Sequence, residues 1–407
     1  MFAPDQWPAY YSSANGVKVT DLDGNEYVDM SHMGVGSCIL GYGDADVDEA
    51  ASTALEHGVM STLNPPEEVE LAERLIAMHD WADMVRLGRP GGEAVAMAIR
   101  LARAYTGNET VAFCGYHGWH DWYLAANLDT ETNLEEHLLP GLDPSGVPNS
   151  LEGTSKPFRY NDIEELERIA CQNDLAAVIM EPIRSEQPED DFFDRIQALT
   201  ARTDVPLIID EITAGFRVRA GGYHERIGAE PDIAVYGKAI GNGYPISAVV
   251  GKEHVMDEAQ ESFISSTFWT ERIGPSAALT TIEKFSREGV GDHLVTIGNM
   301  ITQGWEDLAE DHGLPIETKG IKPLTAFEIE HDDAQAAKTL FAQEMLDYGY
   351  LAGNSVYTSY AHTAPVVERY LEAVDQVFDL IAEALKTESV YDSLDGPVAH
   401  TKFERLN

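Results

Sequence analysis

Two residues in this chain have the type and spacing to do covalent chemistry together. The run Ile233-Ala234-Val235-Tyr236 is apolar and β-prone. It gives way to Gly237-Lys238 and then to Ala239-Ile240-Gly241-Asn242-Gly243-Tyr244-Pro245. This pattern predicts a buried strand whose end sets one amine in a turn open to a ligand. A lysine in a partly desolvated pocket has a lowered pKa and can form a Schiff base with a carbonyl. A lone loop lysine is ordinarily just solvated; what sets Lys238 apart lies upstream. There Leu207-Ile208-Ile209-Asp210 forms a second apolar run that ends in an acid, followed by Glu211-Ile212-Thr213-Ala214-Gly215-Phe216-Arg217. The interval between the runs suits parallel neighbours joined by a crossover. An amine at one strand end and a carboxylate at the next is the pair pyridoxal phosphate needs. The amine holds the aldehyde carbon, and the carboxylate keeps the ring nitrogen protonated so that the ring draws electrons.

Other stretches supply what such a cofactor needs around it. Met84-Val85-Arg86-Leu87-Gly88 reads as a strand, Arg89-Pro90-Gly91-Gly92 as a turn, and Glu93 to Arg103 as a helix. Unpaired N–H groups at a helix start carry partial positive charge and suit a phosphate. Gly91 and Gly92 are therefore phosphate candidates through the main chain, although a Gly-Gly pair often marks only a tight turn. Val111-Ala112-Phe113-Cys114 is a further buried strand that leads into Gly115-Tyr116-His117-Gly118-Trp119-His120. Aromatic residues directly after a strand end can present a flat face to a flat ring. His117 is a cofactor-contact candidate whose plainer reading is a satisfied loop histidine. His117 and His120 have no third ligand at suitable spacing, so no metal site is expected. Ala176 to Met180 is the next strand, and Glu181 at its end either bonds across the sheet edge or touches the site. Arg184 follows in the same loop. It could grip a substrate carboxylate bidentately, or be a surface arginine.

With these motifs in view, the sequence resembles the class III, fold-type-I pyridoxal-phosphate aminotransferases, in the branch similar to glutamate-1-semialdehyde aminomutase. The resemblance runs from Asp21-Leu22-Asp23-Gly24-Asn25 to Ala361-His362-Thr363 and rests on the Asp210-to-Arg217 and Tyr236-to-Pro245 motifs. It implies an α/β fold, with a large domain built on a mostly parallel seven-stranded sheet and a smaller α+β domain. The expected division is residues 1–50 as the N-terminal part of the small domain, 51–275 as the cofactor domain, and 276–407 as the C-terminal small domain. The resemblance also implies catalytic roles for Lys238 and Asp210, Tyr116 stacked on the cofactor ring, and Ile212 on the opposite face. Thr267 would reach the phosphate of a partner subunit, making a homodimer with shared active sites. Ser31 falls where family members contact substrate. In the family the phosphate turn reads Ser-Gly-Thr, whereas Pro90 and Gly92 here carry no hydroxyl, so compensation from elsewhere is expected.

The activity implied is transfer of an amino group from a small-molecule donor to a carbonyl acceptor, an amino-acid semialdehyde or a keto or aldehyde sugar. The alternative is intramolecular transfer of the aminomutase kind. Against it, the aminomutases carry a Gly-Gly-Gly-Leu-Pro type run where this chain has Gly241-Asn242-Gly243-Tyr244-Pro245. They also carry an asparagine at the position of Glu186, and Ser266 to Arg272 looks like the transaminase members. A catalytically silent relative is a further reading, but nothing structural demands Asp210 and Lys238 together.

Composition narrows the partners. Seventy acidic residues against 27 basic ones give a net charge of −43. Such a chain repels nucleic acid and anionic membranes, and neither is expected as a partner. No stretch is long and apolar enough to read as a membrane span, and Met1 to Asp5 does not read as a signal peptide. Three scattered cysteines, Cys38, Cys114 and Cys171, predict reduced, buried thiols and a cytoplasmic protein. Elsewhere the pattern predicts a hairpin over 17–29, helices over 45–58 and 65–79, a lid or binding loop over 125–158, and a helix from 163 capped by Asp162. It also predicts a helix over 365–385 after Thr363.

Overall fold

The computed structural model describes residues 3–402 apart from Asp5, Glu131, Leu138, Leu139, Arg184, Ser185 and Asp190. The chain divides into two compact units, Met1–Ala45 with Phe285–Thr401, and Asp46–Lys284.

The first unit begins with β1 (Tyr11–Asn15), β2 (Lys18–Asp21) and β3 (Glu26–Met30). The expected hairpin is β2 and β3, paired antiparallel with Lys18 opposite Val28. The carboxylate of Asp21 closes its turn by accepting from the amides of Asp23 and Asn25 at 2.9 and 2.8 Å. β1 adds a strand the sequence did not announce, because its Tyr-Ser-Ser-Ala-Asn run is mostly exposed and lacks alternation.

The second unit holds the site. Its strands are β4 (Met84–Gly88), β5 (Thr110–Cys114), β6 (Ser155–Pro157), β7 (Leu175–Met180), β8 (Leu207–Asp210), β9 (Ile233–Tyr236) and β10 (Ser247–Gly251). They form one seven-stranded sheet in the order β4-β10-β9-β8-β7-β5-β6. β6, β5, β7, β8 and β9 run parallel, and β10 is antiparallel to both β9 and β4. Every residue of β7, β8, β9 and β10 is buried. That explains why these strands read as unbroken apolar runs: helices cover both faces of such a sheet. The helix Gly91–Thr106 lays Ala94, Val95, Ala98, Ile99, Leu101 and Ala102 into one core. The helices Ile163–Gln172 and Phe192–Thr203 supply Ile163, Leu166, Phe192, Ile196 and Leu199 to another. Of the three cysteines expected to be buried, Cys171 on the first of these helices is exposed.

The segment over 125–158 is more ordered than a free loop. It contains the short helix Ala126–Asp129 and the edge strand β6. The buried Asn127 pins it, donating to the carbonyl of Leu142 at 2.7 Å and accepting from the amide of Leu134 at 3.0 Å. An amide side chain holding a loop by its backbone leaves no hydrophobic period to read.

The first unit resumes with β11 (Ile316–Ile321), β12 (Leu324–Ile329), β13 (Tyr350–Ala352) and β14 (Ser355–Tyr357). β13 extends the N-terminal sheet by pairing parallel to β3, and β11, β12 and β14 form a separate sheet. The helices Val290–His312 and Ala364–Lys386 pack over them, with Trp305, Phe327, Phe341 and Phe378 fully buried and Trp305 Nε1 donating to the Tyr370 hydroxyl at 3.1 Å. His362 is buried here. Its Nδ1 accepts from the amide of Ser359 at 3.0 Å, and its Nε2 donates to the carbonyl of Asp29 at 2.8 Å. Thr363 is the N-cap residue by position but makes no capping bond with its side chain.

Asp162 does cap, accepting from the amide of Glu165 at 2.9 Å. Asp162→Ala is expected to lower stability by about 1 kcal/mol, the usual worth of such a cap. Denaturant unfolding measures it, and an unchanged midpoint contradicts the cap.

Candidate active site

The register of β8 against β9 sets Asp210 beside Val235, so the two strands end together and Lys238 follows three residues on. Ligands of such sheets bind outside the carboxyl ends of the strands, which is where both side chains emerge. Lys238 has a backbone φ of 45°, in the left-handed region. A non-glycine residue held there costs on the order of 1–3 kcal/mol and is typical of functional sites. Its Nζ donates to the hydroxyl of Thr213 at 3.0 Å. Burial, first of all, lowers the pKa of this amine, and the nearby Arg217 guanidinium lowers it further. The charges of Glu181 and Asp210 act the other way.

Asp210 is 3% exposed. Its Oδ1 accepts from the amide of Ile212 at 3.0 Å, and its Oδ2 lies 2.8 Å from Nδ1 of His117. The other ring nitrogen of His117 faces the carbonyl of Cys114 at 3.1 Å. Both nitrogens of the imidazole thus face acceptors. His117 is joined to Asp210.

Around this pair the strand ends build walls. Tyr116 is half-buried, and burial raises its hydroxyl pKa, with the charges of Asp210 and Glu181 adding to the effect. Glu181 accepts from the amide of Tyr116 at 3.0 Å. It crowds Gly115, where a Cβ would stand 2.6 Å from its Oε2 and where φ is +108°. Of the two readings of Glu181, the one that holds the turn after β5 has this geometry behind it. Ile212 fits against two glycines: a Cβ on Gly91 would come 2.7 Å from its Cδ1, and one on Gly237 would be 3.5 Å from its Cγ1.

The helix Gly91–Thr106 starts at Pro90 without a side-chain cap, so its first amides have no partner within the helix. A Cβ on Gly92 would come 2.8 Å from Cε1 and 2.9 Å from Nδ1 of His120. The imidazole therefore occupies the space a threonine at 92 would need, and its Nδ1 is buried without a hydrogen-bond partner.

Spacing alone does not single out Thr213, Arg217 or His120. Thr213 and Arg217 follow Asp210 in the chain, and only the bend after β8 turns them toward the amine. For His120 the signal was the missing hydroxyl at position 92. Three candidates remain. Thr267 is exposed in the turn that follows Ser266. Ser31 belongs to the first unit, where its hydroxyl donates to Asp29 at 2.7 Å. Arg184 lies outside the described residues.

An amine and a carboxylate at adjacent parallel strand ends, with an uncapped helix start beside them, suit an aldehyde cofactor with a basic ring nitrogen and a phosphate. This is the arrangement of a fold-type-I pyridoxal-phosphate enzyme. The chain belongs to the class III aminotransferases, whose family model matches residues 2–385. It is 30% identical to 3-aminobutyryl-CoA aminotransferase from Cloacimonas acidaminovorans (strain Evry), over 95% of this chain and 92% of that protein. It is 31% identical to glutamate-1-semialdehyde 2,1-aminomutase from Methanococcoides burtonii, over 90% of this chain and 91% of that protein. Among solved structures it is similar to the PLP-containing FumI protein of Sphingopyxis sp. MTA144. The TM-score is 0.86 and the identity 26%, covering 95% of this chain and 92% of that one.

Capture of pyridoxal phosphate by the apoprotein requires an unprotonated amine, so the uptake rate rises with pH through the amine's midpoint. Because burial favours the neutral form, that midpoint is expected below the ordinary lysine value of 10.5. Absorbance-followed uptake measures it, and a midpoint at or above 10.5 contradicts the environment described for Lys238.

Proposed function

We propose that Lys238 is the cofactor-bearing and proton-moving residue of an aminotransferase whose acceptor is an amino-acid semialdehyde or a keto or aldehyde sugar. The observation that carries this reading is the half-buried amine of Lys238, its pKa lowered by burial, beside the buried carboxylate of Asp210. Bound pyridoxal phosphate supplies an aldehyde for capturing amines and a ring that withdraws electrons. The residues of this chain do the rest. Nζ of Lys238 takes the proton from the amine-bearing carbon of the donor and, in the return half, gives a proton to the acceptor carbon. Thr213 holds that nitrogen by a hydrogen bond when it is not engaged. Asp210 keeps the ring nitrogen protonated, and His117 fixes which way the carboxylate faces. Tyr116 and Ile212 are the residues for the two faces of the ring.

The phosphate falls to the amides of Gly91 and Gly92 and, in place of the absent hydroxyls, to Nδ1 of His120. The region 51–275 serves as the cofactor domain, and 1–50 with 276–407 as the small domain. Ser31 and Arg184 are candidates for substrate contact. The active unit is a homodimer in which Thr267 serves the partner's phosphate. Support for an interface comes from the exposed Met60, Leu63 and Phe268, on two segments joined by the bridge between Met60 and Glu271 and the bond from Thr270 to the carbonyl of Ser61. A cytoplasmic location agrees with Cys38, Cys114 and Cys171 forming no disulfide among the described residues and with no described helix being long and apolar enough to cross a membrane. The aminomutase reading keeps one observation in its favour, the similarity to the Methanococcoides burtonii enzyme. Turnover of an amino aldehyde with no second substrate distinguishes the two, and no such turnover is expected here.

Lys238→Ala is expected to lower turnover by at least about a thousandfold, the scale of a lost general base. Activity near wild type removes the lysine from this role. For the phosphate, His120→Ala is expected to weaken cofactor binding by roughly ten- to a hundredfold, as for one lost hydrogen bond to a charged group. Gly92→Thr combined with His120→Ala is expected to restore it. Equilibrium binding of pyridoxal phosphate to the apoproteins reads this out, and unchanged affinity in His120→Ala sinks the assignment.

A further inference from the structure

Behind the strand ends that carry Asp210 and Lys238 lies a second buried polar cluster that the amino-transfer chemistry does not use. His79 follows the helix Pro66–Ile76, and His224 and Glu225 sit in the turn Tyr223–Ile227. Each of these three offers one ligand atom within 4.8 Å of the others. Both imidazoles are fully buried, with 0% side-chain exposure.

The outer nitrogens of both rings are already held. Nδ1 of His224 lies 2.7 Å from Oε1 of Glu211, which also accepts from the His224 amide at 2.8 Å. A carboxylate only accepts, so the proton of His224 is on Nδ1. Its Nε2 is then a bare lone pair, and that atom is buried with no hydrogen-bond partner. Nε2 of His79 is paired with the Tyr236 hydroxyl at 2.9 Å, and its Nδ1 with Glu225 at 2.5 Å. Arg219 contacts the other oxygen of Glu225, and the indole of Trp81 stacks 5.3 Å from the His79 ring, closing the cluster with an apolar wall.

We propose that His79, His224 and Glu225 form a binding site for one divalent first-row transition cation of the zinc type. Two imidazole nitrogens, one carboxylate oxygen and a water make a tetrahedral set for such an ion. Ligating histidines commonly donate their other N–H to a carboxylate or another oxygen, and Glu211 and Tyr236 stand where those acceptors belong. Protons balance without an outside donor. As the network stands, His79 donates from Nδ1 to Glu225 and accepts the Tyr236 proton at Nε2. When Nδ1 takes the ion, the ring proton moves to Nε2, which then donates to the Tyr236 oxygen. The ion would tie the segment before β4 to the residues next to Asp210 and two before Lys238, so its role is to brace the backbone that carries the catalytic pair.

The test uses the cofactor-loaded protein, stripped with a chelator, reloaded with zinc chloride and gel-filtered before metal analysis. Wild type is expected to retain about one zinc per chain, and His224→Gln less than about a tenth of that. Cys171 is an exposed thiol and could hold zinc elsewhere, so the loss in His224→Gln is the decisive comparison. A readout that does not depend on the variant folding is the wild-type unfolding midpoint, expected to rise with zinc by several degrees, and the visible spectrum of a tetrahedral site when cobalt replaces zinc. Wild type that retains no zinc, or His224→Gln that retains as much as wild type, overturns the proposal.

Discussion

The structure depends on keeping an amine and a carboxylate dry at the ends of neighbouring strands. Either group alone in an apolar interior would lose its charge, because burial disfavours the ionised form. Here each has a local partner that makes burial tolerable. Asp210 has the amide of Ile212 and the ring of His117, and Lys238 has the hydroxyl of Thr213. The sheet makes this possible. Its central strands are buried along their whole length, so the first places where polar side chains can appear are the strand ends. The left-handed backbone at Lys238 adds strain, which the surrounding structure must over-determine.

That constraint explains which parts were legible in the sequence. Unbroken apolar runs that give way to ionisable residues are direction-specific, so β8 and β9 and the polar side chains at their ends could be read directly. So could the helix after Gly91-Gly92, the cap at Asp162 and the hairpin closed by Asp21. The walls of the site were harder. Thr213, Arg217 and His120 act through turns that bring them across from other elements, and no spacing rule encodes such turns. His120 left only an indirect trace, the absence of a side chain at Gly92. Ser31 and Thr267 came from resemblance alone, and their roles rest on placement that the geometry of the second unit does not address.

The chain's large negative charge fits a protein whose partners are small molecules. Within the second unit the few arginines are put to internal use. Arg89 donates to the carbonyls of Phe268 and Glu271, and Arg272 pairs with Glu67. With basic residues so scarce, the phosphate site proposed above uses backbone amides and an imidazole and not a cluster of cations. Substrate choice is a separate matter. Relatives of equal similarity carry names with unrelated substrates, a coenzyme A thioester and an amino-acid semialdehyde, so the shared scaffold fixes the chemistry of the nitrogen and not the identity of its carrier.

The most direct test of the central claim asks which atom carries the cofactor. Borohydride reduction of the cofactor-loaded protein, followed by proteolysis and mass mapping, makes the linkage permanent and locates it. A pyridoxyl mass on the peptide containing Lys238 is the predicted result. The same mass on another residue, or on none, would contradict the account.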